Sequence, residues 1–304
     1  MVGVTKINLI ELEKVKELLD ISKKDLESSE VLFSSRLYHS SVLMFQQSIE
    51  KTAKACALMG EILKFDQLKK EIGHDPLTMY KSEISKNLKN AENFKETLQK
   101  TPEFQEMPFV KDLNLDSYIS KAKFVKQSLD SISKEDKIFS DDIYELDEGI
   151  KEMKSIINHV KDINLKELID KNVEIFKKAY IYNIKSYIEI AEKQGTVISE
   201  EEKEQNLNIS EENIRIIADN LRKNLVSVGI TNALNSILSL FIMPHFDLVR
   251  YPEKKNPLEY YTEKNPLIMR FNQLIDIQKE NLAFHREYLE IIERRYRDRI
   301  IIEK

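Results

Sequence analysis

The sequence predicts an all-α protein, and three observations make the prediction. Apolar residues recur at spacings of three and four almost throughout, and no run alternates at period two as a half-buried strand would. The 304 residues hold 6 glycines and 7 prolines, so the two residues that interrupt helices are scarce. The rest of the composition is 33% charged and rich in Leu, Ile, Glu and Lys, as long helices with solvated outer faces require.

A first helix is expected over 8–34, with Leu18, Ile21, Leu26 and Leu32 among its apolar positions. A second is expected over 36–60. Its apolar stripe is Tyr38, Val42, Phe45, Ile49, Ala53 and Cys56, and Gly60 stands where a C-terminal cap belongs. The opposite side carries Gln46-Gln47-Ser48-Ile49-Glu50-Lys51, which reads as a hydrogen-bonding surface. A short turn at 65–71 leads to Gly73-His74-Asp75-Pro76. Here Asp75 caps a helix over 76–99, and Pro76 takes its first position, where a missing N–H costs nothing.

Pro102 and Pro108 mark residues 101–111 as a loop. Helices are then expected at 114–132, 140–160 and 164–193. Gly195 opens a break, and Ser199 with Glu202 reads as a capping box for a short acidic helix. Apolar helices at 211–226 and 228–243 precede a loop containing Arg250-Tyr251-Pro252, and the last helix covers 265–300. That helix gathers Arg286, Arg294, Arg295, Arg297 and Arg299, nearly cancelled by Glu287, Glu290, Glu293, Asp298 and Glu303; it reads as a solvated helix end.

A net charge of −5 excludes a globally basic nucleic-acid binder, though not a local patch. Cys56 is the only cysteine, which excludes an intramolecular disulfide and a thiolate metal cluster and fits a reducing compartment. Charges from Lys6 onward are incompatible with a secretory h-region, and the longest apolar stretch, 237–243, is far short of the roughly 20 residues a bilayer demands. The expectation is a cytoplasmic protein with no membrane partner. A di-iron bundle needs two Glu-x-x-His motifs, and zinc needs His or Cys at paired short spacings. The sequence holds neither arrangement, nor a glycine-rich phosphate loop, so no metal and no cofactor is expected.

Three motifs in order, Gln46-Gln47-Ser48-Ile49-Glu50-Lys51-Thr52-Ala53-Lys54-Ala55, Gly73-His74-Asp75 and Arg250-Tyr251-Pro252, resemble the HEPN superfamily of helical domains. The resemblance covers about 25–80 and 245–297. It implies an up-down bundle split by an inserted helical region, because the family places the Arg-Tyr-Pro element close to the third helix. The halves would be 1–100 and 206–304, the insertion 101–205. It further implies a nucleotide or RNA as ligand class, a homodimer, and a setting in defence or toxin–antitoxin systems. A protein partner could engage the insertion. The ligand-binding residues implied are Gln46, Gln47, Glu50, Lys54, His74, Asp75, Arg250 and Tyr251.

Ribonucleases of the family place an Arg four to six residues before a His. Metal-free phosphate cleavage needs a group titrating near neutrality and a fixed cation. None of the five histidines has an Arg at that spacing. Lys69 precedes His74 but lacks the planar fork of arginine. His245 and Arg250 stand in reversed order. Each of these residues also has a structural reading: His74 ordering a helix start, His245 meeting a helix dipole, and Arg250 fixing a loop. His39, His159 and His285 read as surface or packing residues. The sequence thus favours a non-catalytic HEPN-like binding protein over a ribonuclease with a rearranged site built from His74, His245 and Arg250, or a structural adaptor.

Overall fold

In a computed structural model of the chain, the residues described are 9–60, 63–68, 80–81, 84–86, 88–89, 91–93, 95–96, 116, 119–120, 123, 126–127, 130, 139–162, 165–193, 195–245, 248–249 and 256–302. At some helical positions, 217–231 and 295–302 among them, only the backbone is described. The described residues form helices and turns, with no strand. The main helices are α1 (Leu9–Ser34), α2 (Tyr38–Met59), α3 (Ile143–Asp162), α4 (Leu165–Lys193), α5 (Glu200–Leu207), α6 (Glu211–Ile242), α7 (Pro257–Tyr260) and α8 (Pro266–Ile302). The two helices expected at 211–226 and 228–243 are one, since Ser227 between them does not break a helix and Gly229 just beyond costs only about 1 kcal/mol.

The chain divides into two compact units, one containing Lys6–His159 and Ser227–Lys304, the other Val160–Val226. The expected insertion at 101–205 shares only 160–205 with the second unit, which also takes in 206–226.

In the first unit, α1 and α2 form an antiparallel hairpin whose turn places Arg36 at φ 61. The α1 side of their seam is Leu12, Val15, Leu19, Ser22, Leu26 and Ser29, all buried. Of the apolar positions expected on α1, Leu26 belongs to this seam, whereas Leu18, Ile21 and Leu32 are half-buried. The α2 side is Ser41, Phe45, Ser48, Thr52, Ala55 and Met59. Small serines at the crossing points let the backbones approach until hydroxyls reach carbonyls across the seam. Ser29 and Ser41 exchange bonds to each other's carbonyl oxygens at 2.8 Å each, and Ser22 donates to the Ser48 carbonyl at 2.7 Å.

Helix α8 packs against both, with Phe271 stacked on Phe33 at 5.0 Å and tilted against Phe45 at 5.1 Å. On α3, Gly149 lies under the Phe241 ring of α6, where a Cβ would come within 2.3 Å of that ring. Arg270 of α8 holds Asp147 of α3 by two parallel bonds of 2.6 and 2.9 Å, which lower the Asp147 pKa.

The second unit contains α4 and the short α5. Ser199 accepts from Glu202 N while the Glu202 carboxylate receives Ser199 N, the reciprocal capping box expected there. Those bonds lower the Glu202 pKa. Lys203 on α5 reaches Glu192 on α4 at 2.7 Å as well as Glu200, and these bonds push its pKa up to about 12.

Candidate functional site

The site is built on α2. Five of its residues, His39, Leu43, Gln46, Glu50 and Lys54, follow one another at spacings of three and four and so share one side of the helix. The side chain of Gln46 is 1% exposed, and neither Nε2 nor Oε1 has a hydrogen-bond partner in the protein. One turn on, Glu50 receives Lys54 Nζ at 2.6 Å, an ion pair whose side chains are only 8% and 17% exposed. At the other end His39 Nε2 meets the Val249 carbonyl at 2.7 Å, so it donates there and fixes the residue that precedes Arg250.

Gln47 and Lys51 turn toward α1 instead. Lys51 Nζ lies 2.7 Å from Asp25 and 2.8 Å from Gln47 Oε1. The polar run therefore splits into two halves with different partners. This corrects the expectation of a hydrogen-bonding surface opposite the apolar stripe, because Gln46 and Glu50 are buried. The cause is the central place of α2. Its apolar stripe and its seam with α1 lie side by side and share Phe45, and Ala53 and Ala57, near Gln46 around the helix, are also fully buried. Further along, Cys56 Sγ donates to Asn232 Oδ1 at 2.8 Å.

His245 is brought to a different place. It is fully buried, with Nδ1 2.8 Å from the Tyr261 hydroxyl, Nε2 on Ser140 Oγ, and its ring tilted against Tyr260 and Tyr261. Tyr260 in turn bonds Asp141. Burial raises the pKa values of both tyrosines, with the Asp141 charge adding to the effect. Ser140 and His245 have the contact of a nucleophile and its base, but both are 0% exposed and a substrate cannot reach them. The expected role of His245 as a catalytic candidate or a residue facing a helix dipole gives way to a buried anchor that ties the segment before α3 to the turn after α7. His74, Asp75, Lys69, Arg250 and Tyr251 lie outside the described residues.

A second buried polar assembly escaped the sequence reading. From Ser22 it passes to Ser48 at 2.9 Å and Thr52 at 2.8 Å, both of which accept from Gln278 Nε2. Gln278 Oε1 accepts from Asn281 Nδ2 at 2.9 Å, and Asn281 Nδ2 also reaches Asn235 Oδ1 at 2.6 Å. Asn235 Nδ2 meets His285 Nε2 at 3.0 Å, and His285 Nδ1 meets the Asn281 carbonyl at 2.8 Å. A carbonyl can only accept, so Nδ1 carries the proton and Nε2 accepts. Burial drives the His285 pKa down to about 4, and the ring is neutral near pH 7. His285 is thus a packing residue, as one of its two expected readings held.

Among the described residues, no three His, Cys, Asp or Glu side chains are grouped to hold a metal, and no helix is long and apolar enough to cross a membrane.

With this geometry in place, comparison with known families finds that residues 15–122 match the HEPN domain. The match takes in α1, α2 with its Gln46-Gln47 to Glu50-Lys51 run, and the Gly73-His74-Asp75 step; it bears out the resemblance over about a third of the chain, and Arg250-Tyr251-Pro252 lies beyond it. No curated protein and no solved structure matches the chain.

Proposed function

We propose that this chain is a non-catalytic, nucleotide- or RNA-associated HEPN protein whose ligand engages the side of α2 that carries Gln46, Glu50 and Lys54. One observation carries the reading: the Gln46 carboxamide is enclosed by protein, yet both of its polar atoms lack a protein partner. Buried amides are nearly always paired, and leaving one open costs about 1–3 kcal/mol. An unpaired amide beside a buried ion pair is a place where a polar group admitted to this side of α2 would recover that cost. His39 adds a second support, since its bond holds Val249, the residue before Arg250 in the sequence, at the end of the same side of α2. His74, Asp75, Arg250 and Tyr251 remain part of this proposal, as does the homodimer through α1 and α2 and a role in defence or toxin–antitoxin systems, which come from the family.

The test is retention of end-labelled total RNA on a filter by the purified full-length chain, together with titration by the four nucleoside triphosphates. RNA or at least one nucleotide should bind, and RNA incubated with the protein in EDTA should stay intact. Absence of binding to every probe sinks the reading. Cleavage that disappears in His74→Ala replaces it with a metal-independent ribonuclease.

A further inference from the structure

We infer that the buried polar assembly running from His285 to Ser22 is a polarity switch: a proton taken up at His285 Nε2 reverses the hydrogen bonds along it and so reaches the α1–α2 seam. Every member, from His285 on α8 to Ser22 on α1, is 0% exposed. The switch is independent of the ligand proposed above.

Asn281 stands in the middle and makes its neighbours act together. Its single Nδ2 donates both to Asn235 Oδ1 at 2.6 Å and to Gln278 Oε1 at 2.9 Å. Beyond them, Asn235 Nδ2 donates to His285 Nε2, and Gln278 Nε2 to the hydroxyls of Ser48 and Thr52. A proton on Nε2 makes that atom a donor facing a donor, and Asn235 must turn its amide over to present Oδ1. Asn235 Nδ2 then meets Asn281 Nδ2, so Asn281 turns as well. Because one Nδ2 served both neighbours, Asn281 Oδ1 comes to face Gln278 Oε1, and Gln278 turns in its place. Its oxygen then lies between the Ser48 and Thr52 hydroxyls, which rotate to donate to it, while Ser22 keeps the Ser48 carbonyl as its acceptor. Amide oxygen and nitrogen are nearly equal in size, so each turn preserves the packing. One proton is taken up and none travels; bonds that ran outward from Asn281 run inward to it.

Two features hold the switch in its neutral setting. Asn281 Oδ1 is buried without a partner, and after the reversal both Asn281 hydrogens and one of Gln278 lack partners instead, a larger loss. Burial also opposes a charge on the ring, so acid near its pKa of about 4 is needed to throw the switch. The ring nitrogens face neutral groups, the Asn235 amide and the Asn281 carbonyl. From 227 to 242, α6 carries no charged residue. On α2 the Cys56 thiol is bonded to Asn232, and Glu50 is paired with Lys54. On α1, Asp20 is held by Arg286, the residue after His285.

The test is an acid titration of the full-length chain followed by NMR, reading the His285 ring nitrogens and the side-chain amides of Asn235, Asn281 and Gln278 in one sample. At neutral pH the ring should carry its proton on Nδ1, and the Gln278 amide hydrogens should show proximity to the Thr52 side chain. As the ring takes its second proton, that proximity should be lost and replaced by one to Asn281, with the midpoint of the ring itself. A distant charge shifts signals without moving hydrogens, so the exchange of neighbours is the deciding observation. Asn281→Ala removes the link, and in it the Gln278 hydrogens should stay on Thr52 throughout. Gln278 hydrogens that remain on Thr52 in the parent protein while the ring titrates overturn the inference. Unfolding while the ring is still neutral overturns it as well, since no folded, protonated state then exists. Gln278 still following the ring in a folded Asn281→Ala has the same force. Should Asn281→Ala fail to fold, the titration of the parent protein decides by itself.

Discussion

Gln278 of α8 spends both hydrogens of its side-chain amide on α2, one on Ser48 Oγ at 3.1 Å and one on Thr52 Oγ1 at 2.9 Å. Its oxygen is spent as well, on Asn281. A residue satisfied at every atom in a fully buried place is a point where removal and replacement have opposite consequences.

Gln278→Ala should therefore destabilise the protein by about 2–4 kcal/mol, combining a cavity with unpaired groups on Asn281 and the α2 hydroxyls. The set Ser48→Ala, Thr52→Val, Gln278→Leu removes both sides of most of those bonds and should cost less than the single change. Urea unfolding of the two variants measures the order, which is the informative quantity.

His285 makes stability depend on pH, and the sign follows from its direction of shift. Its pKa is near 4 in the folded chain and near 6.5 in an unfolded one, so the unfolded state binds the proton more readily. The contribution of the neutral ring is complete above about pH 6.5 and is lost as the pH falls from there toward 4, amounting in total to roughly 3 kcal/mol. Denaturant unfolding between pH 7.5 and 4.5 should show that loss, and His285→Gln should flatten it. An unchanged slope in the variant would assign the acid sensitivity to other groups.

Gly149 should not accept even alanine. The added carbon would sit 2.3 Å from the Phe241 ring, which is itself 6% exposed and has little room to withdraw. Overpacking of this kind costs about 1–3 kcal/mol. Thermal melting of Gly149→Ala should show the drop, and Phe241→Leu in the same chain should recover part of it.

Lys54→Met removes the ammonium that meets the buried Glu50 carboxylate at 2.6 Å. Breaking such a pair costs roughly 3 kcal/mol, far more than for an exposed pair. The variant should melt markedly lower than the parent protein at neutral pH, and a melt that coincides with the parent's would show that the pair contributes nothing to stability.

The helices were legible in the sequence because their periodicity is carried by many residues at once, and so was the capping box at Ser199 and Glu202, a purely local device. What failed was the assignment of faces. On α1 the apolar reading chose Leu18 and Ile21, whereas the buried seam runs one residue further on, through Leu19 and Ser22. Ser22, Ser29, Ser41, Ser48 and Thr52 are core residues that no apolar count can find, since each hydroxyl finds a partner on a neighbouring helix. Gln46 and Glu50 were read as surface because they are polar, and the cover over them comes from the folded chain as a whole. The motif itself could be recognised; the partners of its helix, Asp25 on Lys51, Asn232 on Cys56 and Val249 on His39, are supplied by other parts of the chain, two of them far along it. Gly60 does cap α2, though at φ −81 rather than in the left-handed form that favours glycine.

The two serine pairs of the α1–α2 seam also act as a ruler. Ser22 and Ser29 are seven residues apart, as are Ser41 and Ser48, and the buried positions on both helices step by threes and fours that sum to seven. A repeat of seven is shorter than two full helical turns, so the paired helices must coil around each other with a left-handed sense. It also quantises the length of the hairpin. An arm extended by seven residues in each helix near the Arg36 turn keeps every hydroxyl opposite its carbonyl, while an extension by two or five rotates the serines out of the seam. Natural length variation in this hairpin is therefore expected in whole heptads, added to both arms together.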